Sequence, residues 1–225
     1  MKISAIIPVL DEADFVAEAI QKAWQAGADE VILCDGGSTD ETVALATSSN
    51  CNIVHAPKGR AFQMNAGAFL ATGDVFLFLH VDTWLPPDAC DQIREQLSES
   101  PQIDRGCFRQ RIEGDRTVYR IVEMGNYLRA SILKMPYGDQ GLFFRREFFQ
   151  QLNGFPEVVF LEDFLLSRKL RNEKSPLSVL PGPLYVSARR WEQNGVLRQT
   201  LRNWWISIQC LFGKDPSRLR ASYDR

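Results

Sequence analysis

Histidine is scarce in this chain: His55 and His80 are the only two in 225 residues. So few imidazoles argue against a histidine-rich zinc centre. Cysteine occurs five times (Cys34, Cys51, Cys90, Cys107 and Cys210), never as a CxxC pair and in odd number. That pattern excludes a zinc ribbon or a disulfide framework and reads as small buried hydrophobes in a reducing cytoplasm. No apolar run approaches the ~20 residues that span a bilayer. The opening MKISAIIPVLDE has one lysine and a short apolar run, so no secretory signal is expected. Internal repeats and low-complexity linkers are missing, as are the GxGxxG fingerprint and the Walker A pattern.

What is present suits a globular protein. Hydrophobic residues make up 45% and charged residues 24%, enough for one core or one core with a small appendage. The net charge of −2 is unevenly spread. Residues 1–100 hold 5 Lys and Arg against 15 Asp and Glu, a balance of −10. Residues 101–185 balance to +3 and residues 186–225 to +5. An acidic first half suits a cation site; a basic tail suits phosphate, an anionic surface or simply a solvated helix face.

The first hundred residues alternate strand and helix. Residues 3–9, ISAIIPV, form a buried strand. Phe15, Val16, Ala19, Ile20, Ala23 and Trp24 then recur at helical spacing, with Gly27 placed for a C-cap. Further strands are expected at 30–34, 52–55 and 75–81. Helices are expected after Thr39 or Asp40, over 59–71 and over 88–98. This alternation implies a parallel sheet wound with helices, which binds ligands at the carboxyl ends of its strands. The polar clusters at 10–12, 35–38 and 80–82 all fall there. Beyond Pro101 the pattern loosens: strands at 107–112 and 141–145, helices at 118–133, 147–152 and 160–170, and short strands within 177–187. A last amphipathic helix gathers Leu197, Leu201, Trp204, Trp205, Ile208, Leu211 and Phe212 on one side.

Several residues carry chemistry by position. Asp82 follows an apolar strand, where a carboxylate can hold a divalent ion by oxygen ligation or simply cap a helix. The DGGSTD run from Asp35 allows close backbone approach and offers carboxylates to a base or ribose, or makes a capped turn. Glu162 and Asp163 open a helix, as a general base would, or as acidic residues do for the helix dipole. Arg60 precedes a helix and can pair with phosphate or stay at the surface. Asp139 and Gln140, between two glycines, either line the cleft or turn the chain.

Taken in order, IIPVLDE, LCDGGSTDET, KGRAFQMNAGA, TGDVFLFLHVDT, GDQGLFFRR, NGFPE and FLEDFLLSRKL resemble glycosyltransferase family 2. GRAFQMNAGA, LHVDT, GDQG and SARRWEQNG resemble more narrowly its radical-SAM/selenodomain-associated transferases, small bacterial members. The resemblance covers nearly the whole chain. It implies an α/β GT-A fold (nucleotide-diphospho-sugar transferase), with a mostly parallel central sheet flanked by helices and a helical C-terminal extension. Residues 1–190 would form the GT-A domain, its nucleotide-binding half at 1–100 and its acceptor and catalytic half at 101–190, with the extension at 191–225.

The resemblance also implies roles. Pro8, Val9 and Glu12 would line the nucleoside pocket, Asp35 would contact the base or ribose, and Arg60 would border the base or diphosphate. Asp82 matches the last aspartate of the family's DxD motif and would ligate Mn²⁺ or Mg²⁺. His80 replaces the first aspartate, which leaves it to contact ribose or metal. Asp163 matches the catalytic base, with Glu162 beside it. Arg190 and Trp191 resemble the QxxRW segment of processive members, but Ser187 stands at the glutamine position, so processivity is not supported. The implied reaction is an inverting, metal-assisted transfer from a nucleotide-diphosphate sugar to an unidentified acceptor hydroxyl. A sugar nucleotidylyltransferase would need a different first loop. A non-catalytic nucleotide-sugar-binding protein is the alternative that the altered His80 keeps open. Nucleic acid is not an expected partner. A cytoplasmic location follows, with the tail helix packing on the core, forming a homodimer, or lying on the inner face of a membrane.

Overall fold

In the computed structural model, residues 1–171, 173, 175–212, 214 and 219 are described. The chain runs β1 (Ile3–Val9), α1 (Ala13–Gln25), β2 (Glu30–Asp35), α2 (Thr42–Thr47), β3 (Asn52–His55), α3 (Arg60–Leu70) and β4 (Val75–Phe78). It continues through β5 (Thr83–Trp84), α4 (Ala89–Glu99), β6 (Arg105–Ile112), α5 (Thr117–Ser131), β7 (Phe143–Arg145) and α6 (Arg146–Gln151). Then come α7 (Glu162–Leu170), β8 (Leu177–Val186), α8 (Arg189–Asn194) and α9 (Val196–Leu211).

One eight-stranded sheet has the order β3-β2-β1-β4-β7-β6-β8-β5. β3, β2, β1 and β4 pair in parallel, as the alternating first half requires. The mostly parallel sheet expected from the sequence stops there. β7 runs antiparallel to both β4 and β6, and β5 runs antiparallel to β8, while β6 and β8 are parallel. The sheet is therefore mixed. The cause is local: β7 is three residues long and β5 two, too short for any periodic signal, and their partners lie far away in sequence.

Side chains alternate across the sheet. Ile3, Ala5, Ile7 and Val9 of β1 face one core with Val16, Ala19, Ile20 and Ala23 of α1 and Ile93 and Leu97 of α4. Ile6, Ile32 and Cys34 face the other, with Met64 and Ala68 of α3, Leu166 of α7 and a knot of phenylalanines. In that knot Phe78 lies 4.9 Å from Phe155 and 5.1 Å from Phe149, ring centre to ring centre. All five cysteines are free, and Cys34, Cys90, Cys107 and Cys210 are buried. Among the described residues no helix is long and apolar enough to cross a membrane.

Three expected elements end differently. The strand over 75–81 stops at Phe78, because Thr83 turns the chain by donating from N (3.1 Å) and Oγ1 (2.8 Å) to the His80 carbonyl. The helix over 160–170 starts at Glu162, because Leu161 takes φ 63°. The tail helix expected from Leu197 to Phe212 is α9, but the start of the expected extension at 191 falls inside a separate short helix, α8, which ends before Gly195, φ 77°. Of the tail helix's apolar side, Leu201, Trp205, Ile208 and Phe212 are exposed; the side chains of Leu197, Trp204 and Leu211 lie outside the described residues.

α3 can lie this close to the sheet because residue 67 is glycine. A methyl there would overlap Cys34 Sγ and the Ile6 side chain. Gly67→Ala is expected to destabilise the protein by about 1–3 kcal/mol through overpacking, measured as a lowered urea midpoint with an unchanged slope.

Candidate active site

The site begins where β1 and β2 end. Asp11 leaves β1 with φ 53° and Gly37 leaves β2 with φ 92°. The two loops lock together. Asp11 N donates to Ser38 Oγ (3.0 Å), and Asp11 Oδ1 accepts from Thr39 N (2.7 Å). Asp40 Oδ2 accepts from Ala13 N (3.1 Å) and its Oδ1 from Thr42 N (2.9 Å). Glu12 N donates to Thr42 Oγ1 (2.8 Å). Beneath them, the buried Gln63 of α3 donates through Nε2 to the carbonyls of Val9 (2.7 Å) and Cys34 (2.8 Å). Its Oε1 accepts from Gly59 N (3.4 Å). One side chain thus joins the ends of β1 and β2 to the loop before α3.

This architecture places the first group of expected residues. Pro8 and Val9 are buried in β1, and Glu12 is half-buried at the entry to α1. Asp35 is buried, and its carboxylate accepts from Gly37 N (3.1 Å), Ser38 N (3.0 Å) and faces His55 Nδ1 (3.0 Å). Burial opposes its ionisation, but the hydrogen bonds from Ser38, His55 and Gly37 outweigh it and hold the carboxyl below its ordinary pKa.

A cavity of about 160 Å³ lies beyond these loops. Arg60, His80, Asp139 and Asp163 line its floor, and Phe160, Leu161, Phe164 and Trp191 add apolar walls. α5 contributes Val122, Asn126 and Arg129, and α9 contributes Thr200, Asn203, Ile206 and Ser207. Residues far apart in sequence (60, 80, 139, 163 and 191) therefore meet in one place. Arg190 belongs to α8, but its side chain lies outside the described residues.

The two acidic residues of α7 do different things. Leu161, in a left-handed conformation that costs a non-glycine residue about 1–2 kcal/mol, turns the chain so that its neighbours diverge. Asp163 borders the cavity; its Oδ2 accepts from Gly138 N (2.9 Å) and its Oδ1 from Phe164 N (2.7 Å). Glu162 is only 2% exposed and sits 2.8 Å from Arg60 Nε. Burial pushes the Glu162 carboxyl up, Arg60 opposes this and Asp163 adds to it. Gly138 packs between the two sides of the floor, where a Cβ would come 2.9 Å from His80 Nε2 and 3.4 Å from Asp163 Oδ2. Burial and then Arg60 lower the pKa of His80 to about 4, against the pull of Asp82, Asp139 and Asp163. Its imidazole is accordingly neutral near pH 7.

Gln140 does not reach the cavity. It is fully buried, and its Oε1 accepts from Tyr137 N (3.2 Å) and Arg129 (3.2 Å), which fixes the turn that holds Asp139 at the wall. Asp139 Oδ2 in turn accepts from Gln110 Nε2 (3.0 Å). Asp82, His80, Asp139 and Trp191 border a second, smaller cavity of about 60 Å³. Arg189 approaches Asp82 Oδ2 at 4.0 Å. Among the described residues no three His, Cys, Asp or Glu converge as a cage for a metal. One carboxylate beside a neutral imidazole fits a different arrangement, in which phosphate oxygens supply most of a Mg²⁺ or Mn²⁺ shell.

Sequence reasoning missed Gln63, Asn126, Arg129 and the α9 residues. Gln63 lay within the quoted GRAFQMNAGA, but nothing local shows that its amide reaches two strand ends. Asn126 and Arg129 stand one turn apart on α5, a helix with other polar residues among which nothing local singles out this pair.

Residues 4–156 match the sequence pattern of Glycosyl transferase family 2. The O-antigen chain rhamnosyltransferase RfbN of Salmonella typhimurium is 30% identical over 193 residues, 76% of this chain and 61% of that protein. A TPR repeat-containing protein of Synechococcus elongatus is 28% identical over 120 residues, 52% of this chain and 30% of that protein. This chain thus spans less than two thirds of the length of either relative. Among solved structures, S. aureus TarS in complex with UDP superposes with a TM-score of 0.64 at 19% identity, covering 83% of this chain and 60% of that one. Glucosyl-3-phosphoglycerate synthase of Mycobacterium tuberculosis, with Mn²⁺, UDP-glucose and glycerol 3-phosphate, superposes with a TM-score of 0.58 at 19% identity, covering 83% and 70%. At such identities these structures establish a shared fold.

Gln63→Met keeps the bulk of the side chain and removes both donors from the strand ends. The expected loss is about 1–3 kcal/mol of stability, read by urea denaturation and accompanied by faster amide exchange at Gly36 and Gly59.

Proposed function

The chain belongs to glycosyl transferase family 2, and from that premise we propose that it moves a sugar from a nucleoside-diphosphate donor to an acceptor hydroxyl with inversion. The observation that carries the reading is the convergence of Asp163, His80, Asp139 and Arg60 on one cavity beyond the carboxyl ends of the parallel strands. Two fold neighbours bind UDP or a UDP-sugar, one of them with Mn²⁺, which supports the donor class and the use of a divalent ion.

In this reading residues 1–100 receive the nucleotide and residues 101–190 the acceptor, with the segment from 191 onward closing the cavity through α9. The interlocked loops after β1 and β2 form the nucleoside pocket, with Pro8, Val9, Glu12 and Asp35 at its base. Arg60, held by Glu162, faces the diphosphate. Asp82, with the neutral His80 at hand, would hold Mn²⁺ or Mg²⁺, which offsets the charge of the departing diphosphate. Asp163 accepts the proton of the acceptor hydroxyl as its oxygen bonds to the anomeric carbon. The bond from that carbon to the diphosphate breaks on the opposite face, and the nucleoside diphosphate leaves with the electron pair. The two backbone N–H groups on Asp163 orient its carboxylate. Glu162 is a positioning residue for Arg60, and Trp191 and Asp139 shape the acceptor side.

Two measurements test this. UDP, GDP or CMP, with its sugar conjugates, should raise the melting temperature of the wild type in the presence of Mn²⁺, and Asp82→Ala should abolish the metal-dependent part. If no nucleotide shifts the transition with or without metal, the donor site is misassigned. Asp163→Asn should retain that shift but slow donor hydrolysis to water by about 100-fold or more, read as released nucleoside diphosphate. Donor binding by the wild type with no turnover would instead identify a non-catalytic nucleotide-sugar-binding protein.

A further inference from the structure

Among the described side chains, α9 carries apolar residues on both of its sides. Its side toward the protein carries Gln199, Thr200, Asn203 and Ser207 among Val196, Ile206 and Cys210. Its side toward water carries Leu201, Trp205, Ile208 and Phe212, with Trp205 62% and Phe212 86% exposed. At about 100° per residue the two sets lie on opposite sides of the helix. An ordinary surface helix keeps its outer side polar. α5, which packs beside α9, repeats the pattern. It turns Val122, Asn126 and Arg129 to the cavity and leaves Ile121, Met124 and Leu128 exposed, followed by Ile132 and Leu133. Two adjacent helices thus present apolar stripes to the outside, well beyond the scattered single residues that a soluble surface carries.

The charges around the stripes are cationic. α9 contains Arg198 and Arg202 and no acidic residue. Lys134 is exposed just beyond α5, Lys214 just beyond α9, and Arg168 lies close enough to Cys210 to act on its thiol. Against them stand Glu123, already paired with Arg120 at 3.1 Å, and the exposed Glu192 of α8.

From this combination we infer that the α5–α9 face docks on an anionic lipid surface. Leu, Ile, Trp and Phe enter the boundary between headgroups and acyl chains, and the arginines and lysines meet the phosphates. A second copy of the chain fits less well, because a two-fold contact would bring the same cationic rim against itself. The inference does not depend on the glycosyl-transfer reading: it concerns the outer side of the helices, and its test uses no nucleotide.

The test is cosedimentation of the full chain with vesicles of phosphatidylcholine alone and with phosphatidylglycerol added. Binding should need the anionic lipid and weaken as salt is raised. Leu201→Ser with Trp205→Ser, and separately Ile121→Ser with Leu128→Ser, should reduce the bound fraction more than about tenfold. Arg198→Glu, at an exposed position, should weaken partitioning by more than about fivefold. Wild-type protein that stays in the supernatant with anionic vesicles at low salt overturns the inference. So does a lipid-free dimer, seen by sedimentation velocity, that Trp205→Ser converts to monomer, since a second copy would then cover the stripe.

Discussion

The primary amide of Gln63 is the interaction on which the loops after β1 and β2 depend. At the ends of β1 and β2 the Val9 carbonyl, which already accepts from Gly36 N (3.0 Å), and the Cys34 carbonyl both lie within reach of α3. Gln63 bonds to both. Each buried hydrogen bond of this kind contributes about 0.5–1.5 kcal/mol, and together they tie the bases of the two loops to α3. Above them, Asp11, Ser38, Thr39 and Asp40 bond across the gap and hold both loops in one arrangement. The close approach of α3 at Gly67 is what brings Gln63 within reach.

The first half of the fold was legible because it is made by local rules. Apolar runs of strand length alternate with helical periodicity, and each element pairs with one near it in sequence. The placement of Arg60, Asp82 and Asp163 at a cavity was legible for a related reason: polar residues that end buried strands or start helices have few places to go but the crevice. The second half obeys no such rule. β7 is sandwiched antiparallel between β4 and β6, a placement set by two cores and by nothing in FFR itself. Gln140 was read as a cleft residue for its neighbours, but its amide braces Tyr137 and Arg129 from behind the wall. Spacing cannot tell a side chain that lines a cavity from one that holds the lining in place.

The cavity floor keeps its charge in balance by separating roles among close neighbours. Arg60 pairs with the buried Glu162, whose carboxyl burial pushes up. The same guanidinium and the same burial keep His80 neutral although three carboxylates lie near it. Asp163 therefore faces the cavity beside an uncharged imidazole, not as half of a histidine–carboxylate ion pair. An ion pair there would occupy the carboxylate that lines the cavity. The left-handed turn at Leu161 makes this possible, since it sends Glu162 inward and Asp163 outward from adjacent positions.

That polarity explains the cost accepted at α9. A cavity floored by Asp163, Asp139, Arg60 and His80 needs hydrogen-bonding walls, and α9 supplies Thr200, Asn203 and Ser207. The same side buries Val196, Ile206 and Cys210, and the other described apolar side chains of the helix lie on the opposite side. Each of Leu201, Trp205, Ile208 and Phe212 forgoes about 1.5–3 kcal/mol relative to full burial, and α5 carries the same burden at Ile121, Met124 and Leu128. Serine or lysine at those positions would remove the cost and leave the cavity unchanged. The apolar residues stand there all the same, on two neighbouring helices and within a cationic rim, and it is on this that the proposed lipid docking rests.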